Sequence, residues 1–255
     1  MSNNRAVEMV AKTLANIAAI PLHPGYATRP AVPTGRLRAP TSAEYSVENP
    51  QRIDPYGRDP RQALKMFSGK TVWPLDFRAI DLDLNDVARG ICRQNRFVGQ
   101  TTLPINVGWH SLNLSYIVPK PLRLAALVHD MTEAYLVDIP RPLKNHPLFA
   151  FFEVAEAKLF TGMAQALKLP FDTLPDDLHH FDHTIGNAEM FLYNPKGHQT
   201  RIEMGLAPER AKIAEKFARK IEKLIASGIV PGPGKEVATR KAWLDRFHSL
   251  HHVNV

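Results

Sequence analysis

An imidazole and a carboxylate stand side by side at His129 and Asp130, directly after the apolar run LAALV. Once deprotonated, both are ligands for Mn, Co, Mg, Zn, Fe or Ni, and neither tolerates a dry interior without a partner. Together with His110 and Asp182 they make a set of four that could close one divalent-metal site. Glu133 lies about one helical turn beyond the pair on the same face, and Asp138 follows just past the helix end. A catalytic metal keeps one position open for water and needs a nearby carboxylate to orient or deprotonate it. Glu133 and Asp138 are spaced for that work, and Lys144 could neutralise an anionic substrate.

These residues need rigid elements to bring them together. Apolar spacing predicts helices over Leu84–Gln94, with Asn85 a candidate N-cap, and over Val107–Val118, halted by Pro119 and Pro121. A third runs from Pro121 to Leu136, a fourth from Pro147 to Leu169 and a fifth from Asp176 to Tyr193. A sixth spans Ala207–Ile229, charged on one face, and a last short helix ends near Leu250. Runs alternating with the period of a strand are scarce, so the expected class is all-α. Eight prolines between Pro21 and Pro60 exclude a long helix or a central strand there. The expected organisation is an N-terminal helix and Pro-rich arm over 1–68, a core over 69–200, and a basic helical extension over 201–255.

A chain of 255 residues, 44% of them apolar, is long enough for one substantial core. The single cysteine, Cys92, excludes an intrachain disulfide and reads as a small buried residue rather than a nucleophile. No apolar run of about 18 residues exists to span a membrane, and the N-terminus does not resemble a secretory signal, so a cytoplasmic protein is expected. Net charge is +7, and residues 201–255 hold eleven Lys/Arg against six Asp/Glu, a balance that suits polyanions. Gly232 and Gly234 lack the spacing of a phosphate-binding loop. The pairs His179-His180 and His251-His252 read as solvated or capping, and His183 stays outside the ligand set. Trp73, Phe149, Phe151 and Phe152 read as core or subunit contacts.

Three segments in order, NRFVGQTTLPINVGWHS, LVHDMTEAYLVDIPRPLK and FDHTIGNAE, resemble the HD-domain phosphohydrolase superfamily. The nearest branch is the bacterial and phage 5'-deoxynucleotidase-like one, which includes phage deoxynucleoside triphosphohydrolases. The resemblance spans Gly69 to Tyr193 and implies an HD-domain helical bundle. It implies one divalent ion on His110, His129, Asp130 and Asp182, the last seven residues before Glu189. It further implies that Glu133 positions water, that Asp138 protonates the leaving oxygen, and that Arg96 grips phosphate with Phe97 near sugar or base. Gln100 and Trp109 depart from residues common in related sequences and are expected to reshape the pocket. The implied substrate is a deoxynucleotide, a monophosphate ahead of a triphosphate such as dATP, in a homo-oligomer of the bacterial or phage-infected cytoplasm. A signalling nucleotide is a further substrate this core could take. The rival class is a nucleic-acid-binding or assembly protein with a disused HD core, motivated by the basic tail.

Overall fold

Near the start of the described residues, the strands β1 (Leu64–Lys65) and β2 (Thr71–Val72) pair antiparallel, with Leu64 opposite Val72. This hairpin is the one ladder among the described residues of the computed structural model, which are 56–203, 205 and 207–252. The expected N-terminal helix and most of the Pro-rich arm lie outside them. Everything after the hairpin is helical or connecting, in agreement with the all-α expectation.

Asp83, in place of the expected Asn85, opens the helix α1 (Leu84–Arg93), accepting from the backbone N–H groups of Asn85 and Asp86 at 2.9 and 3.3 Å. Asn106 caps α2 (Val107–Ile117) in the same way, accepting from Trp109 N–H at 2.8 Å. Every residue of α2 from Val107 to Ser115 is buried, which makes it the central helix of the bundle. The third expected helix is not continuous. It breaks into α3 (Arg123–Val128) and α4 (Glu133–Leu136), joined by a turn through His129 and Asp130. There the hydrogen bonds tighten to the i to i−3 pattern, Met131 to Val128 and Glu133 to Asp130. A one-turn helix, α5 (Arg141–Lys144), follows within the expected break, and α6 (Ala150–Ala166) and α7 (Asp176–Tyr193) match their expected positions.

The C-terminal region adds α8 (Pro195–Glu203), which the periodicity did not indicate, then α9 (Pro208–Ala226) and α10 (Glu236–His251). The last has 16 residues and is not short. Ile221, Val230, Trp243 and Phe247 belong to the same hydrophobic cluster as Trp109, Leu112, Leu127 and Ile185. Trp243 Nε1 donates to Leu127 O at 3.1 Å and lies 3.2 Å from Ser111 Oγ, so α10 closes the core behind α2 and α3. The residues expected as an extension thus supply one wall of the bundle, while Lys212, Lys216, Arg219 and Lys220 stay on a solvated face. Trp73 and Phe152 are buried, Phe149 partly so, and Phe151 is exposed. Among the described residues no helix is long and apolar enough to cross a membrane.

Candidate metal centre

The loop between α1 and α2 is closed at its base by two backbone hydrogen bonds. Val107 N–H donates to Gln94 O at 3.0 Å and Arg96 N–H to Ile105 O at 2.8 Å, around a bridge between Asn95 and Asn106. The closure turns Arg96 and Phe97 inward. Phe97 and Val98 then hold φ of 56° and 55°, in the left-handed region that Cβ sterics disfavour. Such strain persists only where the surroundings impose it, and it falls here beside the candidate site.

His110, on the buried face of α2, donates from Nδ1 to Glu189 at 2.8 Å. His129, in the turn after α3, donates from Nδ1 to Ala126 O at 2.9 Å. With both Nδ1 atoms engaged, both Nε2 atoms face one another's neighbourhood, and neither has an aligned hydrogen-bond partner. Nε2 of His110 lies 3.0 Å from Asp182 Oδ1 and 3.8 Å from Asp130 Oδ2. Nε2 of His129 lies 3.0 Å from Asp130 Oδ2 and 3.7 Å from Asp182 Oδ1. His110, His129 and Asp182 form a group whose donor atoms all lie within 4.8 Å of one another. Asp130 adjoins this triad and also faces Arg96 Nη1 at 3.3 Å. Burial opposes charge on both imidazoles, but the surrounding carboxylates raise His110 above its ordinary pKa and His129 well above it. Burial likewise opposes charge on Asp130 and Asp182, yet the two histidines hold both below the ordinary carboxylate range.

Glu133 and Asp138 bracket α4. Val137, with φ of 64°, ends that helix and swings the chain toward Asp138. The side chain of Gln94 ties both backbone positions: its Nε2 donates to Glu133 O at 2.5 Å and its Oε1 accepts from Asp138 N–H at 3.1 Å. Burial raises the pKa of Glu133 well above the ordinary value, with Asp130 and Asp138 adding to it. Burial raises Asp138 as well, with Asp130 contributing. Lys144 Nζ is 3.1 Å from Glu156 and 3.6 Å from Glu133, and those carboxylates keep it charged against the cost of burial.

These groups surround a cavity of about 570 Å³, a size suited to a small ligand. Arg96, Phe97, Asp130, Glu133, Asp138, Lys144 and Asp182 all line it, and His110 and His129 sit behind Asp130 and Asp182. Every site residue expected from the sequence is therefore in one place.

No protein-family model matches the chain. An uncharacterized protein of Escherichia coli, YfdR, is 34% identical over 107 residues, 42% of this chain and 59% of the relative. An uncharacterized protein of Rhodobacter capsulatus is 34% identical over 89 residues, 31% of this chain and 45% of the relative. The chain thus spans about half the length of the curated relatives it matches.

Gln100 and Trp109, expected to reshape the pocket, do not line it. Trp109 is fully buried and donates to Pro231 O at 2.8 Å, so its size serves the junction with the C-terminal helices. Sequence reasoning missed Arg141, whose Nη2 lies 3.2 Å from Asp182 Oδ2 on the cavity wall. It also missed Gln94 and Glu156, which act through bonds spanning many residues and leave no local pattern. His183 lines the cavity against His179, with its pKa pushed down to about 4 by burial and by Arg141. Burial pushes the Cys92 thiol up to about 12, consistent with an inert packed residue.

Proposed function

We propose that this chain is a divalent-metal-dependent phosphohydrolase of the HD-domain type, acting on deoxynucleotides as a 5'-deoxynucleotidase. The observation that carries the reading is the pair of buried Nε2 atoms on His110 and His129. Both tautomers are set by Nδ1 donation, and both nitrogens face carboxylates without an aligned partner. Such a donor set, nitrogen and oxygen without sulfur, fits a borderline or hard divalent cation held by His110, His129, Asp182 and Asp130. When bound, a divalent ion polarises a phosphoryl oxygen and lowers the pKa of a nearby water.

The remaining chemistry belongs to the chain. Glu133 is buried beside Asp130 with Oε2 unpartnered, where it orients the attacking water. Negative charge on Asp130 helps raise the Glu133 pKa; with a cation held there that charge is offset, freeing the Glu133 carboxylate to take the water's proton. Asp138, with its raised pKa, keeps a proton further toward neutral pH than an ordinary carboxyl and delivers it to the leaving 5'-oxygen. Arg96 and Lys144 on the cavity wall bind the phosphate and offset the charge that develops in the transition state. Phe97 offers an aromatic face to sugar or base. The three cations here, Arg96, Arg141 and Lys144, are each already engaged by carboxylates, which favours a monophosphate over a triphosphate. An assay of deoxynucleoside mono- and triphosphates with Mn, Co, Mg and Zn, separating phosphate from triphosphate products, tests this. Inorganic phosphate from a deoxynucleoside monophosphate is expected. Triphosphate release would move the substrate to the triphosphate class, and no release from any nucleotide with any metal would overturn the reading.

A further inference from the structure

Glu189 reaches the site from the core side of α7, two turns beyond Asp182, and is fully buried. A buried carboxylate is costly unless its oxygens are matched. Its two oxygens serve different partners: Oε1 accepts from His110 Nδ1–H at 2.8 Å, and Oε2 faces Arg96 Nε at 3.2 Å. The second contact lacks the alignment of a hydrogen bond, so charge holds Arg96 to that oxygen. The other edge of Arg96 rests on Asp130 Oδ2, the oxygen that also stands 3.0 Å from His129 Nε2.

From this geometry we infer that Glu189 is the positioning residue that couples the two halves of the site, fixing the His110 ring through one oxygen and tethering Arg96 through the other. This rests on the metal and phosphate roles proposed above. A cation on Asp130 competes with Arg96 for the same oxygen, and two positive charges would then crowd one carboxylate. Glu189 supplies a second negative charge on the far side of the guanidinium, so Arg96 stays near the cavity when Asp130 is taken. The same carboxylate makes His110 Nε2 a stronger donor, as a carboxylate on the far nitrogen of a ligating histidine does generally.

The test uses the full-length chain with Glu189→Gln, Arg96→Met and the double variant, with folding checked by circular dichroism. Glutamine keeps a carbonyl for His110 Nδ1–H but loses the charge and turns an amide NH2, itself a donor, toward Arg96. Calorimetric titration with Mn2+ alone should show affinity weakened about 10- to 100-fold in Glu189→Gln. Inorganic phosphate added to the Mn2+-loaded protein should also bind more weakly. In the Arg96→Met background, Glu189→Gln should keep its effect on Mn2+ and add no further phosphate loss. The His110 Hδ1 resonance, deshielded by a carboxylate acceptor, should move upfield in Glu189→Gln. A folded Glu189→Gln with unchanged Mn2+ affinity and an unmoved Hδ1 signal would overturn the inference, as would an equal phosphate loss with or without Arg96. If the wild-type chain binds no Mn2+, the metal reading fails by itself, and the Hδ1 shift still decides whether Glu189 holds His110.

Discussion

Two buried clusters of charge in this molecule look alike in composition and differ in bookkeeping. Between the hairpin region and α1, Arg58 donates to both oxygens of Asp81 at 2.5 and 2.9 Å and to Asp76 O at 2.9 Å, with its guanidinium over the Trp73 ring at 3.9 Å. Asp81 also accepts from Arg78 N–H at 3.0 Å. Donors and acceptors there match one another, as a structural ion pair requires. Around His110 and His129, by contrast, the carboxylates of Asp130, Glu133, Asp182 and Glu189 crowd two imidazoles, with Arg96, Arg141 and Lys144 at their outer edges. There His110 Nε2, His129 Nε2, Glu133 Oε2 and Glu189 Oε2 lack aligned partners. The matched cluster holds the fold together, and the unmatched one beside the cavity is the one to which the proposed function is assigned.

That contrast can be broken by experiment. The largest effect is expected from Asp130→Ala, which should abolish Mn2+ binding and phosphohydrolase turnover together; retention of both would remove Asp130 from the site. Glu133→Ala should leave Mn2+ binding in place while lowering kcat by about 10²- to 10⁴-fold, the usual worth of a positioned acid or base. Arg58→Ala should do the reverse. It strands the buried Asp81 carboxylate, so urea unfolding should show a loss of about 3–5 kcal/mol with Mn2+ affinity unchanged. The smallest effect is a pH dependence that only the unsatisfied cluster should possess. His110 and His129 have raised pKa values without a cation, so Mn2+ must displace their protons. Affinity should therefore strengthen as pH rises through those raised values and weaken below them, by up to about tenfold per pH unit for each proton displaced. A flat pH profile in calorimetry would place the cation elsewhere.

The sequence made the site more legible than the frame around it. His129 and Asp130 announced themselves because an adjacent imidazole and carboxylate at the end of an apolar run have no packing rationale, and the ordered motifs joined them to His110 and Asp182. The break within the third helix was hidden, because a tightened turn at residues 128–133 preserves the apolar spacing on which a helix is read. The role of the C-terminal helices was visible and misweighted. Ala211, Ala214, Ala218 and Ile221 form a buried stripe at spacings of three and four, and the lysines and arginines on the opposite face mask that stripe in the composition. Arg141, Gln94 and Glu156 were illegible for a different reason. Their meaning lies in which distant group they touch, and neither periodicity nor residue type encodes that.

The docking of Trp243 has a consequence for biosynthesis. Its indole reaches Leu127 and Ser111, immediate neighbours in the chain of the turn at His129 and of His110. A ribosome must therefore translate past residue 251 and release α10 before the two imidazoles acquire their final support. A nascent chain stalled before α10 would present His110 and the turn at His129 without that support.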